Sequence, residues 1–127
     1  MPQSKPRARL FVGQLNFGAT EDDIRAIFDF YGHVLSVNLL HDKSKNRSKG
    51  SAFVEYGSTG EADCAIRSLH NRYYMERDKP LQVSYCERSE LISPFGWQQA
   101  LQLHQENSAN PPPPDRSLPT PAKRLLW

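Results

Sequence analysis

Two phenylalanines on otherwise polar sides of strand-like segments have the most chemistry to offer in this chain. In Lys49-Gly50-Ser51-Ala52-Phe53-Val54-Glu55-Tyr56, Ala52, Val54 and Tyr56 fall on one side of a period-two pattern, and Ser51, Phe53 and Glu55 on the other. The first set suits a core. The second leaves a ring between polar groups. Leu10-Phe11-Val12-Gly13-Gln14-Leu15 repeats the arrangement, with Leu10 and Val12 facing one way and Phe11 and Gly13 the other. A flat ring on an open sheet, beside Lys49 and behind a basic loop, has what is needed to stack a nucleobase and hold its phosphate. That loop, His41–Gly50, carries Lys43, Lys45, Arg47 and Lys49. It reads either as a solvated hairpin tip or as a set of phosphate contacts.

The elements that position these rings follow from periodicity. Thr20 caps a helix, Asp23 sits at the capping-box position, and Glu21, Asp22 and Asp23 suit the positive helix end. Ile24, Ile27, Phe28 and Tyr31 form its apolar stripe, and Gly32 is expected to end it. Val34–Asp42 is a second strand, with Val37 and Leu39 inward and Asn38 and Leu40 opposite. After the Lys49–Tyr56 strand, Ser58 or Thr59 caps a helix striped by Ala62, Ala65, Ile66 and Leu69. A charged loop follows, containing Tyr73-Tyr74-Met75. Leu81–Cys86 is the last strand, with Leu81 and Val83 inward and Gln82 and Ser84 outward. The order β-α-β-β-α-β with right-handed crossovers gives an α+β, ferredoxin-like sandwich. Both helices lie on one face of a four-stranded antiparallel sheet, and the other face stays open. Phe11 and Phe53 meet on that open face.

Composition narrows the class without deciding it. Sixteen Lys and Arg against fourteen Asp and Glu give a net charge of only +2, so clustering of charge has to carry any case for nucleic acid. Cys64 and Cys86 read as free thiols of a reducing compartment. No apolar run has the length of a membrane span, and the first residues lack a signal-peptide core, so a soluble cytoplasmic or nuclear protein is expected. His33, His41, His70 and His104 show no metal-ligand spacing, and no Gly-rich phosphate loop follows the first strand. Neither an enzyme nor a cofactor is expected.

These residues resemble the RNA recognition motif (RRM) family. Lys49–Tyr56 is similar to the family's RNP1 octamer, K/R-G-F/Y-G/A-F-V-x-F/Y, and departs from it at Ser51. Leu10–Leu15 is similar to RNP2, with Gln14 where Asn is common. The wording around Leu10–Leu15, Glu21-Asp22-Asp23, Ser48–Tyr56 and Leu69-His70 most resembles CELF/Bruno-type domains, which prefer U- and G-rich single strands. The resemblance implies that Phe11 and Phe53 stack successive bases and that Lys49 bridges a phosphate. Where the family has an aromatic packed on the sugars, Ser51 offers none, which should weaken or narrow binding. Asn38, Gln82 and Ser84, with Glu55 on the same face, would meet base edges. The backbone near Glu87 and Arg88 would read bases, and Arg9, Lys43, Lys45 and Arg47 would add salt-sensitive contacts. The implied role is post-transcriptional binding of mRNA by a monomer.

The flanks divide as residues 1–8, a flexible basic arm; 9–88, the RRM; 89–106, an extension with a short C-terminal helix; and 107–127, a Pro-rich disordered tail. Ser93-Pro94 starts the helix, and Trp97, Ala100, Leu101 and His104 form its stripe. That stripe needs a partner. With Phe95, Trp97 and Leu101 are candidates for covering the sheet over Phe53 or for meeting another protein; a loosely ordered extension is the third reading. Lys123-Arg124-Leu125-Leu126-Trp127 reads as a docking peptide or a truncation point. The alternative function is a protein-interaction module using the helices, the Tyr73-Tyr74-Met75 loop or the tail, with the sheet partly occluded.

Overall fold

The computed structural model describes residues 5–42 and 47–114, with backbone alone for 42 and 47–49. Seven elements follow one another: β1 (Ala8–Gly13), α1 (Glu21–Phe28), β2 (Val34–Asp42), β3 (Arg47–Tyr56), α2 (Thr59–Leu69), β4 (Gln82–Tyr85) and α3 (Pro94–Glu106). The strands form one antiparallel sheet in the order β2-β3-β1-β4. β1 and β3 are therefore the central pair, as the sequence led one to expect.

Alternation fixes which face is buried. Leu10 and Val12 from β1, Ala52, Val54 and Tyr56 from β3, and Val83 and Tyr85 from β4 are all solvent-free. They pack with Ile24 and Phe28 of α1 and Ala62, Ala65, Ile66 and Leu69 of α2 in one cluster. Fully burying side chains of this size is worth roughly 1.5–3 kcal/mol each. Tyr56 reaches through this core and donates its hydroxyl to the Phe28 carbonyl at 2.7 Å. Burial raises the Tyr56 phenol pKa far above its ordinary value, so it stays a donor.

Helix starts follow the cap residues. Thr20 and Asp23 form the reciprocal capping box, and Ser58 caps α2 through the Glu61 N–H. The end of α1 differs from expectation: it stops at Phe28, four residues before Gly32. Asp29 caps it and its Oδ1 accepts the Val34 N–H at 3.1 Å, which turns the chain into β2. Gly32 serves a close approach instead. A Cβ there would lie 2.6 Å from the Glu61 side chain, whose Oε2 accepts the His33 N–H.

Both flanks are tied in more closely than their composition suggests. Ala8 is buried in the core, and Arg7 accepts at its carbonyl from the Leu91 N–H and donates its N–H to Glu90. The arm expected over 1–8 is therefore fixed from Arg7 on. The C-terminal helix forms, but its first turn is anchored from the helical side. Ser93 caps it through the Gly96 N–H and donates its hydroxyl to Asp63 Oδ1 of α2 at 2.8 Å. Tyr85 donates to the same oxygen at 2.6 Å. Among the described residues no helix is long and apolar enough to cross a membrane.

Gly96 is the tightest point of this anchor. An added Cβ would lie 2.0 Å from Tyr85 Cε1, and that ring is fully buried. In an exposed helix Gly→Ala stabilises by about 1 kcal/mol. Gly96→Ala is expected to do the reverse, lowering stability by roughly 1–3 kcal/mol through overpacking. A higher Tm for the variant would contradict this packing. Gln14 carries the opposite opportunity. It holds a left-handed φ of 64° and its buried Oε1 lacks a hydrogen-bond partner. Gln14→Asn, the residue better suited to that backbone, should raise stability by up to about 1 kcal/mol in denaturant melts.

Candidate nucleic-acid interface

The register of the sheet aligns four side chains across all four strands. Asn38 pairs with Phe53, Phe53 with Phe11, and Phe11 with Ser84. The two rings are 5.9 Å apart and meet edge to face at 65°. Phe11 leans over Gly13, where a Cβ would stand 3.3 Å from its ring. A side chain at that position would crowd the ring, so glycine leaves it room to lie along the sheet.

Arg9 occupies the face of Phe53, its Cζ 4.2 Å from the ring centroid. Its Nε is buried without an acceptor, while its backbone N–H donates to Ser89 Oγ at 2.8 Å. Ser89 passes its own hydroxyl proton to the Leu91 carbonyl, so the β1 position is locked by the extension. Glu55 stands opposite Arg9 and accepts from Arg7 Nη1 at 3.0 Å and Ser36 Oγ at 2.7 Å. Partial burial pushes its carboxyl pKa up, but those bonds and the charges of Arg7 and Arg9 outweigh burial and hold it below the usual value. Glu55 is thus a carboxylate committed to Arg7. Both bonds end on Oε1, and the side chain stays 23% exposed on the ring face.

Phe11, Phe53 and Arg9 border a cleft of about 450 Å³. Cys86, Glu87 and Arg88 line it on the side where β4 ends, and Pro111 and Pro112 complete it. Of the site residues expected from sequence, the structure thus gathers Phe11, Phe53, Arg9 and Arg88. Asn38 lies exposed in the ring row, and Ser51 is half-buried on the same face. Ser84 was expected to stand open but is only 4 % exposed. Gln82 donates to Asn71 Oδ1 at 2.6 Å, which ties it to the loop before β4. Lys43 and Lys45, and the side chains of Arg47 and Lys49, lie outside the described residues.

Of the residues expected to cover the sheet, none lines the cleft beside Phe53. Phe95 packs under the guanidinium of Arg67 on α2, at 3.9 Å, on the helical side. Trp97 and Leu101 are half-buried on α3, and neither lines the cleft. The docked element is instead the chain beyond α3. Residues 107–114 were expected to be disordered, yet Pro111 to Pro113 are half-buried and Pro114 is buried. A proline run has its φ angles already restricted, so ordering it against rings forfeits little entropy. That was the available signal, since polyproline segments commonly dock on aromatic surfaces. Residues 115–127 lie outside the described set. Arg7 and Ser89 carried no local signal for these roles, because Glu55 and Glu90, which meet Arg7, and Arg9, which meets Ser89, are remote in sequence.

The outer edge of β4 is sealed by side chains. The Val83 N–H donates to His70 Nδ1 at 3.0 Å, and the Val83 carbonyl accepts from Gln99 Nε2 at 2.9 Å. Burial lowers the His70 pKa, with Glu106 opposing. Neutral His70 is therefore favoured in the fold, and protonation removes the acceptor. Its contribution is present above the unfolded value of about 6.5. It is lost as pH falls through the lower folded value. Stability should fall between pH 7 and 5, and His70→Gln should flatten that slope in denaturant melts. An unchanged slope would contradict the assignment.

A second concavity, of about 440 Å³, lies on the other side, between α1 and the loop before β4. Asp23, Ile27, Tyr73, Tyr74 and Met75 are among its lining residues. Nearby, Phe17 is 56 % exposed and carries Arg77 over its ring at 4.6 Å.

Comparison with known proteins places this geometry. The putative RNA-binding protein RbpF of Nostoc sp. (strain PCC 7120 / SAG 25.82 / UTEX 2576) is 38% identical over 87 residues, 68% of this chain and 81% of that protein. The flowering time control protein FCA of Oryza sativa subsp. indica is 40% identical over 80 residues, 62% of this chain. The chain spans only 11% of the length of FCA. Among solved structures, a Sxl-lethal protein/RNA complex superposes with a TM-score of 0.56 at 37% identity, covering 60% of this chain and 46% of that one. The narrower CELF/Bruno likeness gains no support from these relatives. A family model for the RNA recognition motif matches residues 10–78, and the chain belongs to that family.

Proposed function

We propose that this chain is a single-stranded RNA-binding module that acts on mRNA after transcription, as a monomer and without a catalytic step. The observation that carries this reading is the Phe11–Phe53 pair, set across the two central strands on the face away from α1 and α2. Two rings at that spacing suit successive bases, and Arg9 and Arg88 supply cations beside them. Lys43, Lys45, Arg47 and Lys49 would add phosphate contacts from the β2–β3 loop. Asn38, Ser84 and Gln82 would contact base edges, Ser84 and Gln82 only after their neighbours move. The U- and G-rich preference rests on sequence wording alone. The cytoplasm or nucleus is the proposed compartment.

A second reading is supported by the concavity beside Tyr73, Tyr74 and Met75, where Tyr74 is 56 % exposed. That surface suits a protein partner and leaves the sheet free, so it adds to RNA binding and does not compete with it. α3 is anchored at Asp63 of α2 and Val83 of β4, and its residues do not line the cleft over Phe53.

Base–aromatic stacking is worth about 1–3 kcal/mol per base, or roughly fivefold to more than a hundredfold in affinity. Phe11→Ala and Phe53→Ala are each expected to weaken binding of a short U- and G-rich RNA by that range in anisotropy titrations. Their Tm should move little, because neither ring belongs to the buried cluster. Parent-like binding by the double variant would remove the sheet as the binding surface.

A further inference from the structure

The chain beyond α3 returns to the sheet by a built turn. Asn110 Nδ2 donates to the Leu103 carbonyl at 3.0 Å, and His104 Nδ1 donates to the Asn110 carbonyl at 2.8 Å. The Asn110 N–H bonds the Asn107 carbonyl, and the Ala109 N–H bonds Asn107 Oδ1. These four bonds aim Pro111 and Pro112 at the cleft. The prolines do not fill it. The group seated on the Phe53 ring is the Arg9 guanidinium, and about 450 Å³ stays open between the prolines, the rings and the β4 end. That volume falls within the range of small-ligand sites, about 300–1,000 Å³.

From this we infer that Pro111 and Pro112 form the second wall of a nucleotide-sized cleft, making the segment after α3 part of the RNA site and not a plug over it. The inference rests on the RNA-binding reading above. Its chemistry is that of a nucleotide on every side. Phe11 and the proline rings offer apolar faces to a flat base. Arg9 and Arg88 outnumber Glu87 and favour an anion. The Arg9 guanidinium, seated on Phe53 at the border of the cleft, places a cation beside a bound phosphate. Proline has no N–H to leave unsatisfied, and its fixed φ keeps the wall in place before the ligand arrives.

The test is a titration of the 127-residue chain with a short U- and G-rich single-stranded RNA at fixed salt. It compares the parent, Phe53→Ala, the double variant Pro111→Gly/Pro112→Gly, and Asn110→Ala. The double variant should weaken binding about fivefold, the size expected from losing roughly 40 Å² of apolar contact. Asn110→Ala leaves every lining side chain in place and loosens only the turn, and it should weaken binding in the same direction. Phe53-dependent binding that the proline and Asn110 variants leave unchanged overturns this inference alone. Tighter binding by them also overturns it, because the segment would then be a competitor. Binding indifferent to Phe53 overturns the sheet reading and this inference with it.

Discussion

The pairing of Phe11 with Phe53 across β1 and β3 is the constraint on which the rest depends. Side chains on a strand alternate, so a slip of one residue would send both rings into the core and bring Leu10, Val12 and Val54 to the surface. The buried cluster on the opposite face forbids that slip. The same hydrophobic set that holds α1 and α2 against the sheet therefore fixes two aromatic rings in the open. The proposed stacking needs no special backbone geometry at the rings. It follows from a register that folding already demands.

Electrostatics shape what those rings meet. Glu55 shares the open face with Phe53 and would repel a phosphate, but Arg7 and Ser36 bond its carboxylate and Arg7 offsets its charge. The Arg9 guanidinium rests on the Phe53 ring, while Glu55 across the strand pair bonds Arg7. A cation over a ring is worth about 0.5–1 kcal/mol at exposed sites. A stacking base offers Phe53 a comparable or larger gain. In the proposed binding mode a base takes the ring while Arg9 keeps its charge beside the phosphate. Phe53 is covered in the free chain, by a guanidinium from the neighbouring strand.

Much of this was legible in the sequence, for local reasons. Period-two alternation gave the strands and both rings, and the stripes and caps gave all three helices. What failed to show were contacts between residues far apart in sequence. Nothing near Glu55 signals that Arg7, forty-eight residues away, will claim its carboxylate. Nothing in Ser84 signals that its side of β4 is buried. Gly32 looked like a helix stop because its tight approach to Glu61 is tertiary. The proline run was read by composition as disordered, and it was the turn at Asn107–Asn110 that directed its first residues onto the sheet.

The central claim is that bases stack on Phe11 and Phe53. Its most direct test is an NMR titration of the chain with a short single-stranded RNA, followed by intermolecular NOEs. NOEs from base protons to both phenylalanine rings, with amide shifts along the Asn38–Phe53–Phe11–Ser84 row, are expected. Shifts confined to α1 and the Tyr73–Met75 loop, with no NOE to either ring, would contradict it.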